Sequence, residues 1–322
     1  MYETYFSAAK IIYISIAIIG VPVNFVAGVI LARGKCGLSA CTTRYLVAMA
    51  ASDLMVVITA DILFNIGCYY FAVSYLNITP VCSVILVLTS AATDCSVWLT
   101  VAFTFDRFVA ISCHNLKRRY CTGKTATVVV TTVCILLCFK NVPFYFVYEP
   151  GEIIDNVPWF CYRKPNYFTE PGWIIFDWFD TMLIPLFPFT LVLLFNALTV
   201  RYILVASKIR KGLRGQITGD KSNDPEMESR RKSMILLFTI SGSFILLWLT
   251  FVIEFLYYSF TGKDPGTYTS SEFFLQQAGI MLANFNCCTN TFIYGLTQSK
   301  FRAQLKRAMQ YPVASFIQLL KK

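Results

Sequence analysis

The chain has 322 residues, of which 56% are hydrophobic and 16% aromatic, while only 14% carry a charge. A soluble domain carries about 25% charged residues, so long apolar blocks with half that charge exclude a water-soluble fold and leave a polytopic membrane protein. The net charge of +10 does not point to nucleic acid, because most Lys and Arg gather in alternate loops: Arg33, Lys35 and Arg44; Arg107, Lys117, Arg118, Arg119 and Lys124; Arg201 to Lys232; and Lys300 onward. Lys10, Lys140, Arg163, Lys164 and Lys263 fall on the other side. This positive-inside pattern predicts cytoplasmic basic loops and an amino terminus outside the cell.

A span needs about 20 apolar residues, and seven segments qualify, at 8–32, 42–68, 80–113, 124–148, 172–206, 230–260 and 271–297. The first ten residues lack the basic start and cleavage site of a signal peptide, so the first segment reads as a retained anchor. It holds Gly20-Val21-Pro22-Val23-Asn24, with one amide deep in an apolar helix. The second span contains Asp53. An aspartate at a helix centre costs about 2.5–3.5 kcal/mol to insert, so it needs partners, and Asn24, Ser96, Asn286 and Asn290 are candidates. Either Asp53 is a structural acid, protonated or held by amides, or it lines a small hydrated cavity able to hold a hard monovalent cation such as sodium.

The third span carries Thr89, Thr93, Ser96, Thr100, Phe103 and Arg107 at steps of three and four, a single hydroxyl-lined face ending in Asp106-Arg107. A polar stripe on an apolar helix belongs inside a bundle. Asp106-Arg107 itself is either a functional junction or an ordinary charged helix end. Cys82 opens this span and Cys161 lies in the longest outer loop, both on the oxidising side, where a bridge between them would pin the loop over the bundle mouth. Asn77-Ile78-Thr79 is a glycosylation sequon in a short loop.

The fourth span is plain apart from Lys140 and Pro143 near its outer end. The fifth carries Pro185 and Pro188, which free carbonyls and bend the helix. Lys208 to Lys232, with Gly212, Gly215, Gly219 and Pro225, reads as a flexible cytoplasmic loop. The sixth span contains Phe244 and Trp248, and the seventh Asn286, Asn290 and Tyr294. Residues 299–309 place Phe301 and Leu305 among Arg302, Lys306 and Arg307, an interfacial amphipathic helix expected to stop before Pro312.

No chemistry of catalysis is visible. The 12 cysteines lack metal-ligand spacing, and the one histidine, His114, sits in a basic loop without a second histidine. Cys134, Cys138, Cys287 and Cys288 read as buried free thiols. No metal site is expected. The remaining alternatives are a transporter or cation channel using Asp53 and the hydroxyl stripe, or an odorant-type chemoreceptor. The first lacks repeated halves, and the second lacks several cysteines in its long outer loop.

In order along the chain, Gly20…Asn24, Ala50…Asp53-Leu54, Cys82, Asp106-Arg107-Phe108, Cys161, Pro188, Phe244…Trp248, Asn290…Tyr294 and Phe301 resemble the rhodopsin-like (class A) G-protein-coupled receptors. The pattern also departs from that family. Phe108 replaces a preferred tyrosine, the fourth span lacks its tryptophan, Asn196 stands at a tyrosine position, and Thr250 and Thr291 replace prolines. Arg230 falls where relatives place a glutamate that latches the third-helix arginine, which leaves Asp106 as the main partner of Arg107.

The resemblance implies an all-α seven-transmembrane bundle with a short cytoplasmic amphipathic eighth helix, set in the plasma membrane as one receptor domain over 1–322. It implies heterotrimeric G protein as partner, with Asp106, Arg107, Asn290 and Tyr294 as the switch and Phe244 and Trp248 as a toggle. It implies an outward pocket at Thr89, Ser90, Thr93, Asp180, Phe251, Phe255, Gln276, Ile280 and Asn284. Thr89 stands where amine receptors carry an aspartate, and Asn284 where opsins carry the retinal lysine. With Asp177, Asp180 and Glu254 nearby, the pocket suits an extracellular small zwitterion or short peptide. The chain resembles the orphan G-protein-coupled receptor 139/142-like branch, linked to aromatic amino acids and small peptides.

Overall fold

A computed structural model describes residues 2–71, 74–214, 225–261 and 267–320. Helix α1 spans Tyr2–Ala32. Helix α2 starts after Ser39, whose hydroxyl accepts the amide of Thr42, and runs Ala40–Val56. It then widens into a π-helical stretch, Val57–Ile66, and closes with Gly67–Tyr70. Helix α3 covers Thr79–Ser112, α4 Gly123–Lys140, and α5 is assembled from Pro171–Thr181, Met182–Leu186 and Phe187–Arg214. Helices α6, α7 and α8 cover Pro225–Thr261, Ser270–Thr297 and Ser299–Leu320.

Among the described residues, six stretches are long and apolar enough to cross a membrane: Ala9–Ala32, Ala40–Ile66, Thr79–Ser112, Gly123–Phe146, Pro171–Lys208 and Arg231–Tyr258. Helix α7 completes the bundle. It is less apolar because Asn286, Asn290 and Thr291 are spent on its buried face. Pro185 acts as its lack of an amide requires: Ile184 leaves the helical region (φ −149°, ψ 114°) and α5 kinks there.

The fourth span, expected over 124–148, covers Gly123–Phe146; its α-helix ends at Lys140, where Asn141 caps it and Pro143 cannot continue the bonding, and Val142–Phe146 follows as 3-10 helix. Two expected features are corrected. Most of the expected loop from Lys208 to Lys232 is helical, in continuous extensions of α5 and α6. Gly215, Gly219 and Lys263 lie outside the described residues. Helix α8 runs through Pro312 to Leu320, since a proline removes one backbone bond while the turns on either side keep theirs.

Helix α3 is the axis of the packing. At the Arg107 end, Leu99 and Phe103 bury against Tyr45, Leu46 and Met49 of α2, Leu236, Leu237 and Ile240 of α6, and Tyr294 of α7. Val97 and Val101 meet Ile184 and Val192 of α5 and Phe244 and Trp248 of α6. Two glycines permit close helix approach. A Cβ at Gly20 would lie 2.9 Å from Cys288 Sγ and from Val57, and one at Gly279 would lie 3.0 Å from the Phe251 backbone. Outward-facing Ile18, Leu136, Phe139, Leu204, Leu246 and Leu296 stay exposed, as a hydrocarbon solvent allows.

The opposite end is closed by the loop after α4. Strands β1 (Tyr148–Glu149) and β4 (Tyr162–Arg163) pair antiparallel, as do β2 (Glu152–Ile154) and β3 (Val157–Trp159). Asp155 and Asn156 take φ of 50° and 60° in the β2–β3 turn, the left-handed pair that a two-residue hairpin favours. Phe160 N–H donates to the Asn77 carbonyl at 2.8 Å, Thr79 Oγ1 donates to the Phe160 carbonyl at 2.8 Å, and Cys82 and Cys161 form the expected disulfide.

Candidate functional site

At the Arg107 end a carboxylate and a guanidinium are buried together. Asp106 is fully buried and Arg107 is 7% exposed. Arg107 donates to Asp106 Oδ2 from Nε at 3.0 Å and also from Nη2. Cys41 Sγ donates to Asp106 Oδ1 at 2.8 Å. Towards α6, Arg107 Nη1 reaches Ser233 Oγ at 3.3 Å, a neutral acceptor. The side chain of Arg230 lies outside the described residues. Arg107 also backs onto the Phe103 ring, 5.9 Å from its centroid. Below it opens a cleft of about 380 Å³ whose rim includes Lys117, Lys232 and Lys300, so the floor and rim are both basic. Cys36 and Cys121 line the same cleft. Burial raises both thiols, and Cys121, with Asp106 adding to the effect, is pushed up to about 12, so both stay protonated at neutral pH.

One helical layer further in, Asp53 is fully buried. Ser96 Oγ donates to its Oδ1 at 2.5 Å and Asn290 Nδ2 to its Oδ2 at 2.8 Å. The other two expected partners do not bond it. Asn24 Nδ2 donates instead to the carbonyls of Gly20 (3.0 Å) and Cys287 (2.9 Å), because Gly20 brings α1 close enough to α7 for that bridge. The Oδ1 atoms of Asn24 and Asn286 are both buried without a partner. The Asp53 carboxylate and the Ser96 hydroxyl are hard oxygens held together at 2.5 Å. Thr291, at one of the replaced proline positions, donates from Oγ1 across to the Val23 carbonyl on α1 at 3.3 Å.

Above this layer Trp248 is buried between Phe244 (centroids 5.6 Å apart) and Phe251 (5.7 Å). Asn196 receives a bond from Ser241 Oγ at 3.1 Å, which ties α5 to α6. Tyr294 is buried edge-on to Phe301 at 5.9 Å and seats α8 against α7.

The expected pocket residues are scattered among separate pairings. Thr89, Ser90, Thr93 and Ile280 are half-buried, and Thr89 Oγ1 has no partner. Phe255 meets Trp178 with centroids 6.4 Å apart, and Gln276 Nε2 donates to Glu254 at 3.4 Å. Asn284 Nδ2 donates to Asp61 Oδ1 at 2.9 Å. Asp180 pairs with Lys140, whose Nζ also lies 2.6 Å from Asp94 Oδ2; Asn141 Nδ2 donates to the same Asp94 oxygen at 2.6 Å.

Asp61, Asp94 and Asn141 were missed by the sequence reading, although for the two acids the signal was present, and Lys140 was noticed without its partners. Asp61 and Asp94 are acids inside apolar spans with no basic residue in the adjoining turns of sequence, as Asp53 is. The π-helical stretch explains how Asp61 joins Asp53. Eight α-helical residues turn ~800°, about 80° out of phase, whereas the wider π turn advances roughly 80–85° per residue and returns Asp61 to nearly the same face. Two Asp–Asn pairs therefore join α2 to α7.

A bundle of membrane helices around a central α3, capped by a disulfide-pinned loop and open at a basic cleft over a buried Asp-Arg pair, defines a seven-helix membrane receptor. Residues 23–294 match the family described as 7 transmembrane receptor (rhodopsin family), and the chain belongs to that family. It is similar to a mouse protein, Probable G-protein coupled receptor 142, at 23% identity over 273 residues, which covers 83% of this chain and 65% of the relative. The chain thus spans somewhat less than two thirds of that relative's length.

Proposed function

We propose that the chain is a plasma-membrane receptor that converts binding of an extracellular small molecule or short peptide into heterotrimeric G-protein activation. The observation that carries this reading is Arg107, buried at the floor of a basic cleft and held by its own neighbour Asp106. Among the described residues its one bond to α6 is the neutral contact with Ser233. A modest outward shift of α6 breaks that contact and widens the cleft, so a ligand that favours the open arrangement exposes the guanidinium. In this reading the basic end and the carboxyl terminus are cytoplasmic, the amino terminus and the disulfide-pinned loop are outside, and Trp248 is the packing element that repacks between states. The ligand proposed is a small aromatic amino acid or short peptide, a class suited to a pocket of aromatic rings with Asp177, Asp180 and Glu254 nearby.

A sodium ion at Asp53 is part of this reading: the Asp53 carboxylate and Ser96 Oγ would supply hard ligands, and Asn24 and Asn286 each carry a buried amide oxygen without a bond that could add to them. Bound there, the cation would neutralise Asp53 and favour the arrangement in which α2, α3 and α7 converge on it.

The test is nucleotide exchange on a panel of G proteins by the receptor in membranes, screened against amino acids and short peptides. Stimulated exchange that Arg107→Gln abolishes in a folded receptor supports the proposal. Ligand-driven ion or solute flux without any exchange contradicts it.

A further inference from the structure

The interior of the bundle towards the disulfide end is acidic. Asp61, Asp94, Asp180 and Glu254 project from α2, α3, α5 and α6, each at least half-buried, and Asp177 joins them one turn before Asp180. Two of the five take bonds from neutral donors alone, Asp61 from Asn284 and Glu254 from Tyr268 and Gln276, while Asp177 takes one from Tyr167 at 3.1 Å with the Arg163 guanidinium, 5.0 Å from the Tyr167 ring, also attracting it. Lys140 is the one ammonium ion-paired within this set among the described residues, and it is shared by two carboxylates.

The two sharers differ. Asp94 is committed: its side chain is 6% exposed and its Oδ2 holds both Lys140 and Asn141. Asp180 holds Lys140 through Oδ1 alone, and its side chain is 24% exposed. Aromatic rings lead to it from the loop. Tyr167 lies 5.4 Å from Trp173, Trp173 lies 6.1 Å from Phe176, Phe176 meets Phe144 edge-on at 5.1 Å, and the Lys140 ammonium sits 5.9 Å from the Phe144 centroid. Trp173, Phe176 and Asp180 follow one face of α5 at steps of three and four. Ring faces attract cations, and an excess of buried negative charge focuses that attraction.

We propose that Asp180, with Lys140 and Asp94 behind it, is a recognition site for the primary ammonium or guanidinium group of an aromatic ligand. The incoming cation takes Asp180, and Lys140 withdraws wholly onto Asp94. Lys140 is therefore a tethered competitor that occupies the site until a ligand arrives. Its bond to Asp180 ties α4 to α5, so exchange for a ligand frees α5, which Asn196 and Ser241 join to α6. This step rests on the receptor reading above; the binding chemistry does not.

The test uses purified full-length receptor in lipid nanodiscs and three probes of one shape: 3-phenylpropylamine, 3-phenylpropan-1-ol and 3-phenylpropanoate, each titrated to ~10 mM against the unfolding temperature. The amine is expected to stabilise saturably, the alcohol at least tenfold more weakly, and the acid not at all. Asp180→Asn should weaken the amine at least tenfold, and Asp180→Glu should restore its preference over the alcohol. Lys140→Gln should strengthen amine binding several-fold by removing the competitor, an effect that a purely structural lysine would not produce. Equal shifts with amine and alcohol, no amine shift at any concentration, preference for the acid, or weaker amine binding in Lys140→Gln would overturn the proposal. Amine binding without any G-protein exchange would sink the receptor reading and leave this site standing; exchange without amine preference would do the reverse.

Discussion

Replacing Asp106 by Asn removes the charge that holds Arg107 while keeping the shape of the side chain. Arg107 makes two bonds to Asp106 Oδ2, and its contact with Ser233 is a single longer bond of 3.3 Å. Hydrogen bonds to a charged partner contribute about 1.5–3 kcal/mol each, and a neutral acceptor keeps roughly half of that. The substitution should therefore cost the resting arrangement about 2 kcal/mol, or roughly 25-fold in population. Cys41 also loses its charged acceptor, which adds to the loosening. The assay is basal GTPγS binding to G protein in membranes carrying equal amounts of folded receptor. The variant should exceed wild type by about tenfold, the rest of the effect being lost to penalties common to both states. Equal basal activity in a variant of unchanged surface expression would refute the idea that Asp106 restrains Arg107.

Other consequences can be checked separately. Sodium should raise the unfolding temperature of the wild-type receptor more than choline does, and Asp53→Asn should remove that difference; a persistent sodium effect would place the ion elsewhere. Gly279→Ala should destabilise the receptor by about 1–3 kcal/mol, because the new methyl meets the Phe251 backbone at 3.0 Å, and an unchanged melting temperature would mean α6 and α7 are not so close. Burial and the neighbouring Asp106 raise the Cys121 thiol from 9.0 to about 12. Its neutral form is thus favoured by folding, a contribution complete below pH 9.0 and lost as pH climbs towards 12. Alkylation at Cys121, followed site by site by mass spectrometry, should accelerate roughly tenfold per pH unit up to pH 11, and a plateau below pH 10 would contradict its burial.

The helices were legible because a bilayer demands long apolar runs, and those runs are plain in the sequence. The Asp106-Arg107 junction, the disulfide pair and Asp53 with Ser96 and Asn290 could be found because each breaks an otherwise apolar or ordered pattern. Helix phase was harder. The π-helical stretch in α2 carries no sequence mark, and without it Asp61 falls on the wrong face. Lys140 stood out as a charge near a helix end, but its two partners, Asp94 and Asp180, are distant in sequence and only the crossing of α3, α4 and α5 brings them together. The partner expected for Asn24 failed for a related reason: close approach through Gly20 gave its amide an acceptor, the Cys287 carbonyl, on the neighbouring helix.

The most direct test of the switch adds Arg107→Gln to the Asp106→Asn receptor and measures nucleotide exchange in membranes at matched expression. Exchange should fall from the raised level of the single variant to that of membranes without receptor, because the group that engages the G protein is gone. A double variant that exchanges as fast as Asp106→Asn alone would contradict the role given to Arg107.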